Sequence, residues 1–226
     1  MDSLVKDDFI ICIQARINST RLPGKIFFSF FGELIINRII RISKNITSPQ
    51  NIHILSGNEK FNGTLSAVAK KNKIKVFYNS EQNVYLRFKN FLSNLKKKPK
   101  YIIRITSDNY LVQPSVIKKM LKICEKKNFD YCYVKPLSHY AGEVIKSHLF
   151  FRKKPSHLAK EHVTWDFRRS KDIKIHSFND NFLGIDHKKS LTLDNINDLK
   201  TLIKLEHKNK YLKNINCING IKKIKF

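Results

Sequence analysis

Acidic residues, glycine and proline are all in short supply here: 18, 7 and 6 in 226 positions. Against 44 Lys and Arg, so few acids leave a formal charge of +26. An excess of that size first suggests a polyanion such as nucleic acid as partner. The lysines argue otherwise, because they fall in short runs spread along the chain, as at Lys96–Lys98, Lys118–Lys119 and Arg152–Lys154. Abundant Lys, Asn, Ile and Phe with little Gly and Pro is the drift of an AT-rich coding background. The charge therefore reads as solvated surface rather than a nucleic-acid face. The four cysteines, Cys12, Cys124, Cys132 and Cys217, include no CxxC pair, and there is no HExxH or His/Cys cluster at zinc-ligand spacing. Cys12 and Cys124 lie in apolar patterns, so free thiols in a reducing compartment are expected. No long apolar run exists: IFFSFFGELII is broken by Gly32 and Glu33 and is too short for a bilayer. FIICI, five residues after two aspartates, is no signal peptide. A soluble cytoplasmic protein without a membrane partner is expected.

What is present is a hydrophobic fraction of 42%, enough for a sizeable core and too much for a disordered polymer. Short β-branched runs alternate with amphipathic segments. Strands are predicted at 8–14, 51–56, 74–78, 101–106 and 130–134, and helices at 33–44, 62–72, 83–96 and 114–127. Pro114 suits a first helical turn. This βαβα order predicts a Rossmann-like, mainly parallel sheet with helices on both faces. After residue 135 the alternation weakens, and a small mixed insertion or edge strand is expected. A helix at 160–170, strands at 172–178 and 190–194 and a helix at 195–208 follow, the last capped near Asp194 or Asn195. One domain over 1–208 and a basic tail over 209–226 complete the reading.

In such sheets ligands bind beyond the carboxyl ends of the strands. Two polar features fall there by topology alone. One is the cationic turn after the first strand, with Gln14, Ala15, Arg16, Ser19, Thr20, Arg21 and Lys25; the other is Asp108, just past the fourth strand. Turn amides with Arg and Lys side chains suit a triphosphate. The turn is neither a Walker A loop, since Ser19 and Ile26 stand where Gly and Ser/Thr are needed, nor a GxGxxG loop, since Gly24 is its only glycine.

The stretch Gln14-Ala15-Arg16-Ile17-Asn18-Ser19-Thr20-Arg21-Leu22-Pro23-Gly24-Lys25 resembles the QARxxSTRLPGK signature of the bacterial sugar cytidylyltransferases. The similarity is to the SpsF-like spore-coat polysaccharide type, with 3-deoxy-manno-octulosonate cytidylyltransferase further off. NSEQNVYLRF (79–88), YIIRITSDNYLVQPSVI (101–117), KEHVTWDF (160–167) and LTLDNINDL (191–199) resemble further family segments, in the family's order. The resemblance implies a GT-A-like nucleotidyltransferase fold, Mg2+ held by Asp108 and Asp194, CTP as nucleotide, a sugar or sugar-phosphate acceptor, and a homodimer. Arg16, Arg21 and Lys25 become the catalytic candidates.

Read without the family, Asp108 could cap the next helix and Asp194 could be the N-cap of the last one. Magnesium, which takes one or two carboxylates plus phosphate oxygens, is the alternative role for both. Ser107, Asn109 and Tyr110 replace the family's Gly and Cys-Pro, which is expected to narrow the space beside the metal or sugar and to alter the turn. Arg104 alternates with Thr106 and Asp108 toward the same edge and joins the nucleotide-binding candidates, with a structural salt bridge as its other role; Ser56 joins them by position. Gly142-Glu143 and Glu161-His162 read as surface or cap residues, with the acceptor sugar as a second role. Trp165, the single tryptophan, reads as core or interface.

The implied reaction is attack of an acceptor oxygen on the α-phosphorus with pyrophosphate leaving, a task of positioning and charge stabilisation. Its product would be a CMP-activated sugar or sugar-like acid for a surface glycan. Guanylyl- or uridylyltransfer to a sugar 1-phosphate uses the same parts. A non-catalytic, basic nucleic-acid-binding module on this fold is the rival from another class.

Overall fold

The computed structural model describes residues 8–135, 141–152, 154–179 and 192–209. Cys217 and the expected basic tail from residue 210 onward lie outside the described residues.

The chain opens with β1 (Phe9–Gln14), whose side chains are buried on both sides. Ile11 and Ile13 enter one apolar cluster, Ile10 and Cys12 the other. A strand covered on both faces needs apolar residues at successive positions, hence the unbroken FIICI run. Then come β2 (Ser29–Phe30), β3 (Glu33–Leu34), α1 (Ile35–Lys44), β4 (Ile52–Ser56), α2 (Glu59–Asn62), α3 (Thr64–Asn72), β5 (Lys75–Tyr78), α4 (Val84–Ser93), β6 (Tyr101–Thr106) and α5 (Pro114–Lys127). The second part holds β7 (Tyr131–Val134), β8 (Glu143–Lys146), α6 (Leu149–Arg152), α7 (His157–Glu161), α8 (Trp165–Arg169), β9 (Ile175–Phe178) and α9 (Ile196–Lys208).

Seven strands form one sheet in the order β5-β4-β1-β6-β8-β7-β9. The first four in that order are mutually parallel. Side chains of α1, α3, α5 and α9 pack on one face, and those of α4, α6 and α8 on the other. The mainly parallel α/β sheet read from the sequence is the fold observed. In α1, five isoleucines at 35, 36, 39, 40 and 42 are fully buried. Ile is a modest helix former, by a few tenths of a kcal/mol. Burial of each side chain, worth about 1.5–3 kcal/mol, outweighs that.

Several expectations are corrected. Of the two alternatives for the segment directly after 135, the insertion holds and the edge strand does not: β8 inserts between β6 and β7, antiparallel to both, and the edge is taken by β9. The helix expected over 160–170 is two short helices, because the chain turns at His162–Thr164. The helix over 83–96 stops at Ser93. Of the strand expected at 190–194, residues 190 and 191 lie outside the described residues, and within 192–194 Thr192 forms an isolated bridge to Asn109. Glu33 and Leu34 belong to a hairpin rather than to α1, turned through Phe31 (φ 51°) and Gly32 (φ 74°). Glu206 of α9 accepts the Phe31 amide at 2.7 Å and anchors that turn. The free-thiol expectation fails at Cys124 and Cys132, which form a disulfide. Asn128, in the left-handed conformation, ends α5 and turns the chain straight back into β7, which sets the two cysteines side by side. Cys12 is free and buried, and burial pushes its thiol up.

Candidate nucleotide-binding cleft

The turn after β1 is folded on itself and tied down at its base. The Ile17 carbonyl accepts from the amides of Ser19 and Gly24, both at 2.9 Å. Gly24 has φ 69°, a left-handed conformation that glycine adopts without strain. The Ile17 amide donates to Asn62 Oδ1 at 2.7 Å, and Asn62 is fully buried and donates in turn to Glu81 at 3.0 Å. The turn ends in a single 3-10 turn, Lys25–Phe27, with Ile26 in the core. That anchor carries the Lys25 ammonium inward, so that only 10% of its side chain is exposed.

Asp108 follows β6, and Asp194 precedes α9. The Leu193 amide donates to the Asp108 carbonyl at 3.1 Å, and the Asn109–Thr192 bridge lies alongside. Neither aspartate caps a helix. Gln113 occupies the N-cap position of α5. Asn195 caps α9 in a capping box with Asp198, whose carboxylate accepts from the amides of Asp194 and Asn195 at 2.9 Å each. Capping of α9 is thus done by neighbours of Asp194, and both carboxylates face the cleft. They converge on one point: Lys25 Nζ lies 2.8 Å from Asp108 Oδ2 and 2.8 Å from Asp194 Oδ1. Arg21 adds a contact at 3.2 Å to Asp194 Oδ1. Burial alone would raise the Asp194 pKa, but the bond and charge of Lys25, with Arg21, reverse it and hold the carboxyl below its ordinary value.

This donor set fits magnesium. Two carboxylates whose oxygens meet at one cation-sized point are what that ion takes from protein when phosphates and water complete its shell. Among the described residues there is no group of three or more His, Cys, Asp or Glu that would form an all-protein cage.

The opposite wall is built on Glu143, 1% exposed, at the start of β8. Its carboxylate pairs with Arg104 and Arg168 and accepts from Tyr131 and from Thr164 Oγ1. Arg104 also donates to Gln14 Oε1 at 2.9 Å, which links this wall to the end of β1. Burial would raise the Glu143 pKa, but the two guanidinium charges outweigh it and hold the carboxyl at about 2. Gly142 sets the approach: its φ is 65°, and a Cβ there would lie 2.5 Å from the Arg104 carbonyl oxygen.

The cleft between these walls measures about 1170 Å3 and opens at the carboxyl ends of β1 and β6. Its lining includes Gln14, Ala15, Arg16, Ser19, Thr20, Arg21, Lys25, Arg104, Asp108 and Asp194, as well as Gly142, Glu143, Glu161 and His162. Ser56 is the exception: it is fully buried at the end of β4 and is not part of the lining. Trp165 also stands outside the lining, with Arg169 3.5 Å over its ring. Ser107 does line the cleft at 4% exposure, which adds a side chain beside Asp108. Tyr110 does not, since it is buried against Phe30, Phe31 and Arg38.

Sequence reasoning missed Arg87 and Arg168. Arg87 is 1% exposed, lines the cleft and donates to the Ser80 carbonyl at 3.0 Å and the Glu81 carbonyl at 3.2 Å. Burial lowers its pKa to about 10. Its signal lay in the resemblance of residues 79–88, where the arginine follows the helix cap Asn83 by four positions. Seven Lys and Arg side chains face four carboxylates in the lining, so the cleft favours an anionic ligand.

The comparisons with known proteins point the same way. The spore coat polysaccharide biosynthesis protein SpsF of Bacillus subtilis is 30% identical over 149 residues, 63% of this chain and 61% of that protein, so less than two thirds of the relative's length is matched. Among solved structures, a cytidylyltransferase from Leptospira borgpetersenii superposes with a TM-score of 0.81 at 21% identity, covering 96% of this chain and 93% of that one. A CMP:2-keto-3-deoxy-manno-octonic acid synthetase complexed with CTP gives 0.65 at 11% identity, over 89% and 99%. Rv0371c of Mycobacterium tuberculosis, in a complex with manganese, gives 0.65 at 11% identity, over 87% and 98%. These low identities speak to the fold. Among the described residues no helix is long and apolar enough to cross a membrane. The family model described as cytidylyltransferase matches residues 10–224, nearly the whole chain, and the protein belongs to that family.

Proposed function

We propose that the cleft binds CTP with magnesium and transfers its cytidylyl group to an acidic sugar or sugar-like acid, releasing pyrophosphate. The observation that carries this reading is the meeting of Lys25, Asp108 and Asp194 at one point beneath the turn 14–25. Family membership, the CTP complex of one structural neighbour and the manganese complex of another support the choice of nucleotide and of a divalent cation. SpsF's name supports a surface polysaccharide as destination.

Arg16, Arg21 and the turn amides meet the triphosphate, whose negative charge shifts to the leaving pyrophosphate as the α-phosphorus is attacked. Lys25 serves the same charge once it leaves the two aspartates. Asp108 and Asp194 would hold the metal, which would supply Lewis-acid charge to the phosphoryl transfer. Arg104, fixed between Gln14 and Glu143, presents a preset cation at the boundary between nucleotide and acceptor. Arg168, His162 and Glu161 border the acceptor half.

The test is pyrophosphate release with each of the four triphosphates and magnesium, against a panel of acidic sugars and sugar phosphates. Release with CTP, lost in Asp108→Ala, is expected. Release with GTP or UTP and a sugar 1-phosphate would replace the nucleotide assignment. Silence with every pair, together with salt-dependent RNA binding indifferent to Asp108→Ala, would overturn the enzyme reading.

A further inference from the structure

Lys25 stands where a metal-bound enzyme needs its cation. Its ammonium is 2.8 Å from one oxygen of each aspartate, and its side chain is 10% exposed. An ammonium is a compact point charge with three donors, and here two of them are engaged by the two carboxylates. A divalent ion seeking the same oxygens must first expel it. Expulsion strands a largely desolvated positive charge unless an anion receives it. A triphosphate entering under the turn is such an anion.

We propose that Lys25 keeps the two-aspartate site closed to a bare divalent cation, so that the ion enters only together with nucleoside triphosphate. On the triphosphate's arrival the ammonium passes from carboxylates to phosphate, and the vacated oxygens take the metal. No bond is made or broken; one cation is exchanged for another, and the lysine changes anions. The two ligands are then coupled, each tightening the other by the same factor. Lys25 thereby sets the order of assembly as well as contacting phosphate. The inference rests on the metal-dependent reading given above.

The test measures Mn2+ binding by electron paramagnetic resonance, with and without CTP and with no acceptor present. The native protein is expected to bind Mn2+ alone weakly and to bind it well with CTP. Lys25→Met should bind Mn2+ alone on the order of 10-fold tighter or more, within the usual range of such couplings. The gain should vanish in Lys25→Met combined with Asp108→Asn. Arg21→Met removes an equal charge near Asp194 but from a side chain 67% exposed, and should leave Mn2+ binding in the absence of CTP as weak as in the native protein. Lys25→Gln carries the same expectation should Lys25→Met not fold. No gain in either Lys25 variant, or an equal gain in Arg21→Met, overturns the inference while leaving the metal site standing. Failure of the native protein to bind Mn2+ even with CTP overturns the metal-dependent reading itself.

Discussion

Two clusters of carboxylate and cation face each other across one cleft, and they are built to opposite specifications. In the first, Asp108 and Asp194 have side chains 22% and 31% exposed, and Arg21 is 67% exposed. In the second, the Glu143 side chain is 2% exposed, Arg104 15% and Arg168 37%, so the contrast lies in the carboxylates. The first cluster has few partners per group and lies open to incoming ligands. The second satisfies one carboxylate with two guanidiniums and two hydroxyls and links three parts of the chain through β6, β8 and α8. A carboxylate that must exchange cations cannot be sealed, and one that holds a wall in place must be, because only desolvation makes the pairing strong. The difference separates the part that handles ligand from the part that frames it.

The sharpest way to break this comparison is to remove one carboxylate from each side. Glu143→Ala leaves two guanidiniums facing a buried void, and chemical denaturation should show a loss of about 3–5 kcal/mol. Asp108→Ala should leave the denaturation midpoint nearly unchanged and lower pyrophosphate release by roughly 100- to 1000-fold, the scale for one preorganised electrostatic contact. If Asp108→Ala unfolds the protein, or Glu143→Ala does not destabilise it, the division of labour is wrong.

A pH series sharpens it further. The folded Glu143 pKa, about 2, lies below its ordinary 4.5. Its contribution is therefore complete above about pH 4.5 and is lost as pH falls toward 2. The scale is roughly 3 kcal/mol, at 1.36 kcal/mol per pKa unit. Stability measured from pH 5 to pH 2 should fall steeply in the native protein and much less in Glu143→Gln. Asp194 acts in the same direction, but its exposure screens the effect to a small fraction. The smallest expected effect is Arg21→Met on stability, within about 0.5 kcal/mol. Its KM for CTP should nonetheless rise, since that exposed guanidinium is proposed to meet phosphate.

The open cluster was legible in the sequence, and the sealed one was not. Lys25 lies in an uninterrupted signature next to a strand and Asp108 follows a strand-like run, so local pattern and topology placed these two at one edge, and the family resemblance of residues 191–199 added Asp194. The competing role of Asp194 as a helix cap was settled only by seeing Asn195 and Asp198 perform that task. Glu143 sits in a four-residue strand, too short for its alternation to be told from a loop. Its partners are 12, 21, 25 and 39 positions away in sequence. Arg87 reads as a surface charge because its burial depends on carbonyls supplied by other segments, and Arg168, 37% exposed, because its carboxylate partner lies 25 positions away. The Cys124–Cys132 disulfide was missed for a related reason, since its geometry depends on how tightly Asn128 turns the chain.

By itself the sequence determined the alternation of buried strands and amphipathic helices, and so the parallel half of the sheet and the edge at which ligand enters. Those features follow from side-chain periodicity and turn chemistry, which act within a few residues. Only the tertiary structure decided the reversed strand in mid-sheet, the sealed wall around Glu143 and the resting place of the Lys25 ammonium. Each of these is a choice among partners far apart along the chain, and charges choose partners by distance and desolvation in space.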